Sequence, residues 1–144
     1  MSKRDSAVSG TYIAASYAAL FIGGLSFLIG LWNAAMPLTE RGYYFTLLLF
    51  GLFAAVTVQK SVRDKEEGIP VSARFMGIAY LATLSSLLLL TVGLWNANLV
   101  LSEKGFYATS FILALFGSVT VQKNIRDVQA FEAKNFPTNT TELS

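Results

Sequence analysis

Four long stretches of the chain are free of formal charge. Residues 6–39, 42–59, 75–102 and 105–122 contain no Asp, Glu, Lys or Arg. Each has room for a helix of about 20 residues, the length that crosses ~30 Å of hydrocarbon. Inside a bilayer a segment must satisfy its own peptide groups, which a helix does within itself. A water-soluble chain of 144 residues has too little interior to hide four such segments. Charged residues make up 14% of the sequence, against about 25% in ordinary soluble domains. The expected fold class is therefore all-α, an integral membrane four-helix bundle with spans near 11–31, 42–59, 75–95 and 105–122. Lys3 and Arg4 precede the first span as in a signal peptide. The apolar run is nevertheless longer than the usual h-region of about 7–15 residues, and it has a counterpart deep in the chain. It is read as a retained span.

The second constraint is an internal repeat. A shift of 63 residues lays Gly30–Asp64 onto Gly93–Asp127 without gaps, and 19 of the 35 positions are identical. One copy reads GLWNAAMPLTERGYY and ends in VTVQKSVRD; the other reads GLWNANLVLSEKGFY and ends in VTVQKNIRD. Upstream, residues 11–29 and 74–92 agree at only three positions. Similarity thus gathers at one corner and at the far end of the second helix. Two spans per copy make both copies enter the membrane in the same direction. The architecture expected is two tandem parallel-repeat helical hairpins, residues 1–67 and 68–127, followed by a flexible tail over 128–144.

Lys and Arg divide unevenly between the two ends of the bundle. Lys3, Arg4, Lys60, Arg63, Lys65, Arg74, Lys123, Arg126 and Lys134 lie at the end that carries the termini, and Arg41 and Lys104 at the corners. Nine against two predicts cytoplasmic termini by the positive-inside rule. Trp32 and Trp95 then fall at the opposite interface, a depth that suits amphipathic rings.

The corner motif contributes Trp32, Asn33, Glu40, Arg41 and Gly42 from the first copy, and Trp95, Asn96, Glu103, Lys104 and Gly105 from the second. Thr39 and Ser102 are expected to cap the helices that follow, with Glu40 and Glu103 at the positive helix ends. One reading is a hairpin corner used twice; the other is an outward-facing polar interaction site. Opposite charges at equivalent positions suggest Glu40–Lys104 and Glu103–Arg41 pairs across the two corners.

The second motif holds Gln59, Lys60, Arg63 and Asp64, repeated as Gln122, Lys123, Arg126 and Asp127. On a helix Lys60 faces Asp64 four residues on, in the weaker basic-then-acidic order. The motif reads either as an anchor at the membrane exit or as a docking site for a partner. Small residues at helix-packing spacing (Ala15, Ala19, Gly23; Gly51, Ala55; Ala114, Ser118) predict close helix contacts.

Several functions are disfavoured. The chain has no His and no Cys, which removes thiolate chemistry and Cys/His metal sites. No phosphate-binding glycine loop or nucleophile elbow occurs. No cofactor is called for, and no basic run suits nucleic acid. Proton-coupled transport normally needs an ionisable residue within the bilayer, and the charge-free spans lack one. The four-helix multidrug exporters match in size but depend on a Glu in the first span, absent here.

The repeated GLWNA…LxE(R/K)GxY…VQKxxRD segments resemble the YiaA/YiaB family of bacterial inner membrane proteins, in its longer form with two copies of a two-helix domain. The resemblance implies residence in the bacterial inner membrane and supplies no activity. Two readings of function follow. One is a structural or interaction protein working as a homo-oligomer or with a membrane protein partner, in contact with membrane lipids. The alternative is a small channel or facilitator for a neutral or weakly polar solute.

Overall fold

A computed structural model describes residues 9–135. They form four helices: α1 (Gly10–Asn33), α2 (Leu38–Glu66), α3 (Ala73–Asn96) and α4 (Leu101–Asn135). All four are long and apolar enough to cross a membrane. The all-α, four-span architecture expected from charge patterning is the one observed.

The two copies start alike. Ser9 and Ser72, 63 residues apart, cap α1 and α3, each hydroxyl accepting from the amide three residues on (3.1 Å in both). The expected caps of the second helices do not form. Helix α2 starts at Leu38, so Thr39 already lies in its first turn. Pro37, extended at φ −61° and ψ 155°, occupies the cap position, and its carbonyl accepts from the amides of Glu40 and Arg41. Ser102 is likewise inside α4, where the Val100 carbonyl accepts from Lys104. Past Glu66, Gly68 adopts φ +79°, a left-handed conformation that favours glycine. The Ile69 amide then bonds back to the Asp64 carbonyl at 2.8 Å. The tail expected to be flexible from Val128 is helical to Asn135. Gln129, Ala130, Glu132 and Ala133 are good helix formers, and no proline intervenes before Pro137. Lys3 and Arg4, and the tail beyond Asn135, lie outside the described residues.

The hairpins are not packed as hairpins. Helix α1 lies mainly against α4, and α3 mainly against α2, while α2 and α4 meet at the centre. The two helices of one copy touch little. Burial follows this plan: 50% of the α4 span is buried, against 17% of α1 and of α3. A pseudo-two-fold axis runs between α2 and α4, and every main packing partner belongs to the other copy or is the central twin.

The core is close-packed and aromatic toward the corners. Phe27, Leu48, Leu90 and Phe111 are fully or almost fully buried. Tyr44 and Tyr107, equivalent in the repeat, stack across the axis at 6.3 Å and 14°. Phe27 meets Tyr107 edge-on at 5.5 Å. Tilted and stacked geometries of this kind add to what burial alone contributes. The outer faces of α1 and α3 carry Phe21, Ile29, Leu81 and Leu88 exposed, which in a bilayer meet acyl chains.

Candidate functional site

The repeated residues lie at the two ends of the bundle. At the corner end, Gly30 of GLWNA packs on the aromatic pair Phe106 and Tyr107 of the other copy. A Cβ there would lie 2.6 Å from Phe106 Cε1. Gly93 packs in the same way on Tyr43 and Tyr44, where a Cβ would lie 2.8 Å from Tyr43 Cε1. The Gly of one motif and the aromatic residues of the next are kept in both copies because each receives the other.

This exchange creates two equivalent clefts. One, of about 550 Å³, places Asn33 of α1 beside Ser102 and Glu103 of α4. The other, of about 300 Å³, places Asn96 of α3 beside Thr39 and Glu40 of α2. Asn33, Glu40, Asn96 and Glu103, the polar residues of the corner motif, thus fall into two cross-copy pairs, Asn33 with Glu103 and Asn96 with Glu40. Asn33 and Asn96 point back along their own helices, each donating to the carbonyl four residues earlier at 2.8 Å.

The expected corner ion pairs are not formed. Arg41 donates to the Ala34 carbonyl (2.7 Å), and its Nε is buried without an acceptor. Lys104 donates to the Trp95 carbonyl (3.3 Å). Glu40 and Glu103 make no ion pair among the described residues. Both bases turn inward to the end of the preceding helix, where carbonyls lack intrahelical donors. Gly42 and Gly105 are exposed, and a Cβ on either meets nothing within 4 Å. Trp32 and Trp95 are 80% and 82% exposed.

Reciprocal pairing occurs at the opposite end. Arg63 on α2 bonds to Asp127 on α4, and Arg126 Nη2 on α4 donates to Asp64 Oδ1 on α2 at 2.7 Å. Each Asp is held from behind by the Lys one turn earlier: Lys60 to Asp64 and Lys123 to Asp127, both 2.7 Å. VQKxxRD is therefore half of a clamp. Its Asp accepts from its own helix and from the twin, and its Arg reaches across. Glu67 joins both guanidiniums, accepting from Arg63 Nε at 2.8 Å and Arg126 Nη2 at 2.7 Å. Its counterpart position is Ala130, so the clamp is symmetric in its core and lopsided at its edge. Gln59 and Gln122, half-buried, make no side-chain hydrogen bond among the described residues.

The clamp lies beyond the charge-free spans. The Lys60 ammonium and then the Arg126 guanidinium hold Asp64 below the usual carboxylate range. Arg63 and Arg126 do the same for Glu67. Burial pushes Asp127 up, but Lys123 and Arg63 together outweigh it and its pKa is lowered. The guanidiniums of Arg63 and Arg126 are raised, chiefly by Glu67. All are charged at neutral pH, and the arrangement fastens two helices rather than offering a free base or nucleophile.

Two close contacts were not foreseen. Gly117 sits against the α1 backbone, where a Cβ would lie 2.4 Å from the Leu20 nitrogen. Asn124 Nδ2 donates to Ser16 Oγ at 2.9 Å inside the α1·α4 contact, leaving its Oδ1 without a donor.

Comparisons with known proteins agree with this anatomy. The yiaA/B two helix domain matches twice, over residues 12–64 and 75–127. The chain is 51% identical over 127 residues to "Inner membrane protein YiaA" of Escherichia coli (strain K12), covering 88% of each. It is 29% identical over 101 residues to "Inner membrane protein YiaB" of the same organism, covering 68% of this chain and 83% of that protein. No solved structure matches. Two copies of the domain, packed chiefly against each other, make the chain an inner membrane protein of the yiaA/B two-helix domain family.

Proposed function

We propose that the chain is a non-catalytic structural or interaction protein of the inner membrane, working as a homo-oligomer or as a subunit of a larger membrane assembly. One observation carries this reading. Asn33, Glu40, Asn96 and Glu103 are identical between the copies and exposed at the corner rim, yet among the described residues no hydrogen bond or ion pair between the copies uses their side chains. The Asn amides bond only to their own helices and the Glu carboxylates lie in the first turns of α2 and α4, which leaves the carboxylates and the amide oxygens at the rim to meet another molecule. The buried apolar core around Tyr44, Tyr107, Phe27 and Phe111 speaks against a solute path through a single protomer.

The excess of Lys and Arg at the terminal end supports cytoplasmic termini, with the corner rim facing the periplasm. Alkaline phosphatase fused after Ser144 is expected to be inactive, and strong activity there refutes the orientation. Native mass measurement in lipid nanodiscs tests the function. The expected result is a defined oligomer or a stoichiometric membrane protein partner, weakened by Glu40→Gln with Glu103→Gln. A monomer at all concentrations, together with solute flux in liposomes, would favour the facilitator instead.

A further inference from the structure

Because each hairpin is splayed, an apolar groove opens between its two helices at the corner end. The two grooves differ in size. That of the second copy, between α3 and α4, is about 800 Å³, and that of the first, between α1 and α2, about 370 Å³. Every position that lines the small groove has its counterpart in the large one, which adds Leu87, Leu90 and Ile112; the consequential exchange is that Phe45 lines the small groove where Ala108 lines the large one. We propose that the α3·α4 groove binds one anionic phospholipid in preference to a zwitterionic one, its acyl chain lying along Leu87, Ala108 and Ile112 and its phosphate meeting Lys104.

Three observations commit the groove to a lipid. The first is length: along α4 it runs from Leu101 to Ile112, about 16 Å at helical rise. That is close to half of the ~30 Å hydrocarbon thickness, the depth of one leaflet. The second is charge. Lys104 is the one charged residue in the lining and forms no ion pair among the described residues, its ammonium reaching only a carbonyl at 3.3 Å. A cation at the interfacial end of an apolar slot complements a phosphate above an acyl chain. Trp95 lines the same end, at the depth preferred by indole. The third is Ala108, whose methyl stands where Phe45 fills the first groove, and the second groove is about 800 Å³ against about 370 Å³.

Trp95 makes the test direct. In the Trp32→Phe protein, Trp95 is the sole tryptophan and reports its own groove. The protein is placed in phosphatidylethanolamine vesicles holding a small mole fraction of bromine-labelled phosphatidylglycerol. Quenching of Trp95 is expected to exceed that of random lipid contact several-fold. Lys104→Gln should weaken the apparent lipid affinity roughly tenfold, the loss of one charge-assisted bond. Ala108→Phe, which copies the first groove, should abolish the excess with helix content unchanged. In the reciprocal Trp95→Phe protein, Trp32 should follow bulk composition. Quenching of Trp95 in simple proportion to mole fraction would overturn the assignment, as would an excess that survives Ala108→Phe. So would a Trp95 shielded from labelled lipid altogether while Ala108→Cys crosslinks two copies, which would place a second protomer in the groove.

Discussion

The pseudo-two-fold axis makes α1·α4 and α3·α2 equivalent, yet the chain has built them differently. In the first pair, Gly23 and Gly117 bring the two backbones into direct contact, with a Cβ on Gly23 falling 2.5 Å from the Ala114 nitrogen. In the second, the corresponding residues are Ser86 and Ala54, and the opposing glycine is Gly51, which faces the Ser86 hydroxyl and Phe111 ring rather than backbone. Phe27 meets Phe111 in one pair, where Leu90 and Leu48 stand in the other. The cross-helix hydrogen bonds also sit at opposite ends. Asn124 to Ser16 fastens the terminal end of α1·α4, and the Tyr43 hydroxyl donates to the Leu89 carbonyl (2.5 Å) near the corner of α3·α2. Each bond is lost in the twin, where Ala79, Ser61 and Phe106 stand instead. The lesson is that one backbone plan tolerates two packing solutions, a glycine-mediated seam and a looser side-chain seam. The looser pair carries the α3 helix whose other side opens the larger groove.

The largest test of this difference is overpacking of the tight seam. Gly117→Ala and Gly23→Ala each push a methyl into backbone and should destabilise the fold by about 1–3 kcal/mol, Gly117→Ala the more. Ala54→Gly in the looser seam should cost about 1 kcal/mol, mostly helix propensity. Reversible unfolding in mixed detergent micelles measures both. Next comes the clamp, which belongs to neither seam and should fail symmetrically. Arg63→Ala and Arg126→Ala should cost similar amounts, about 1–2 kcal/mol for partly buried charge-assisted bonds. Its carboxylates are depressed in the folded protein, so the unfolded chain binds more protons in acid. Their stabilisation is therefore complete above about pH 4.3 and lost as pH falls through the lowered values. An Arg63→Ala/Arg126→Ala protein should show a flatter acid limb. The smallest effect separates the terminal ends: Asn124→Ala should cost about 0.6 kcal/mol, typical of an interhelical bond in a membrane. Ser61→Ala should cost almost nothing, because its hydroxyl donates only to Thr57 on its own helix.

Much of the plan was legible because hydrocarbon leaves few choices. The charge-free intervals located the spans, the 63-residue shift located the axis, and four-residue spacing placed Lys60 on Asp64. Which helix meets which was not legible, since apolar faces look alike to lipid and to each other. The Ala15–Ala19–Gly23 ladder shows the problem: Ala15 is exposed, and the true seam runs through Ser16, Leu20 and Gly23 toward Gly117. Reciprocal pairing was the right idea at the wrong end. Arg41 and Lys104 found helix-terminal carbonyls nearby, whereas Arg63 and Arg126 each sit beside an Asp on parallel central helices. The adjacency Arg-Asp in both copies was the available signal.

The cross-copy pairing of helices can be tested directly, since the native chain has no cysteine. Ser16→Cys with Asn124→Cys should close an intramolecular disulfide between α1 and α4 on mild oxidation. Ser16→Cys with Ser61→Cys, the twin position on the hairpin partner α2, should not. Efficient bridging of residues 16 and 61 with none between 16 and 124 would contradict the account.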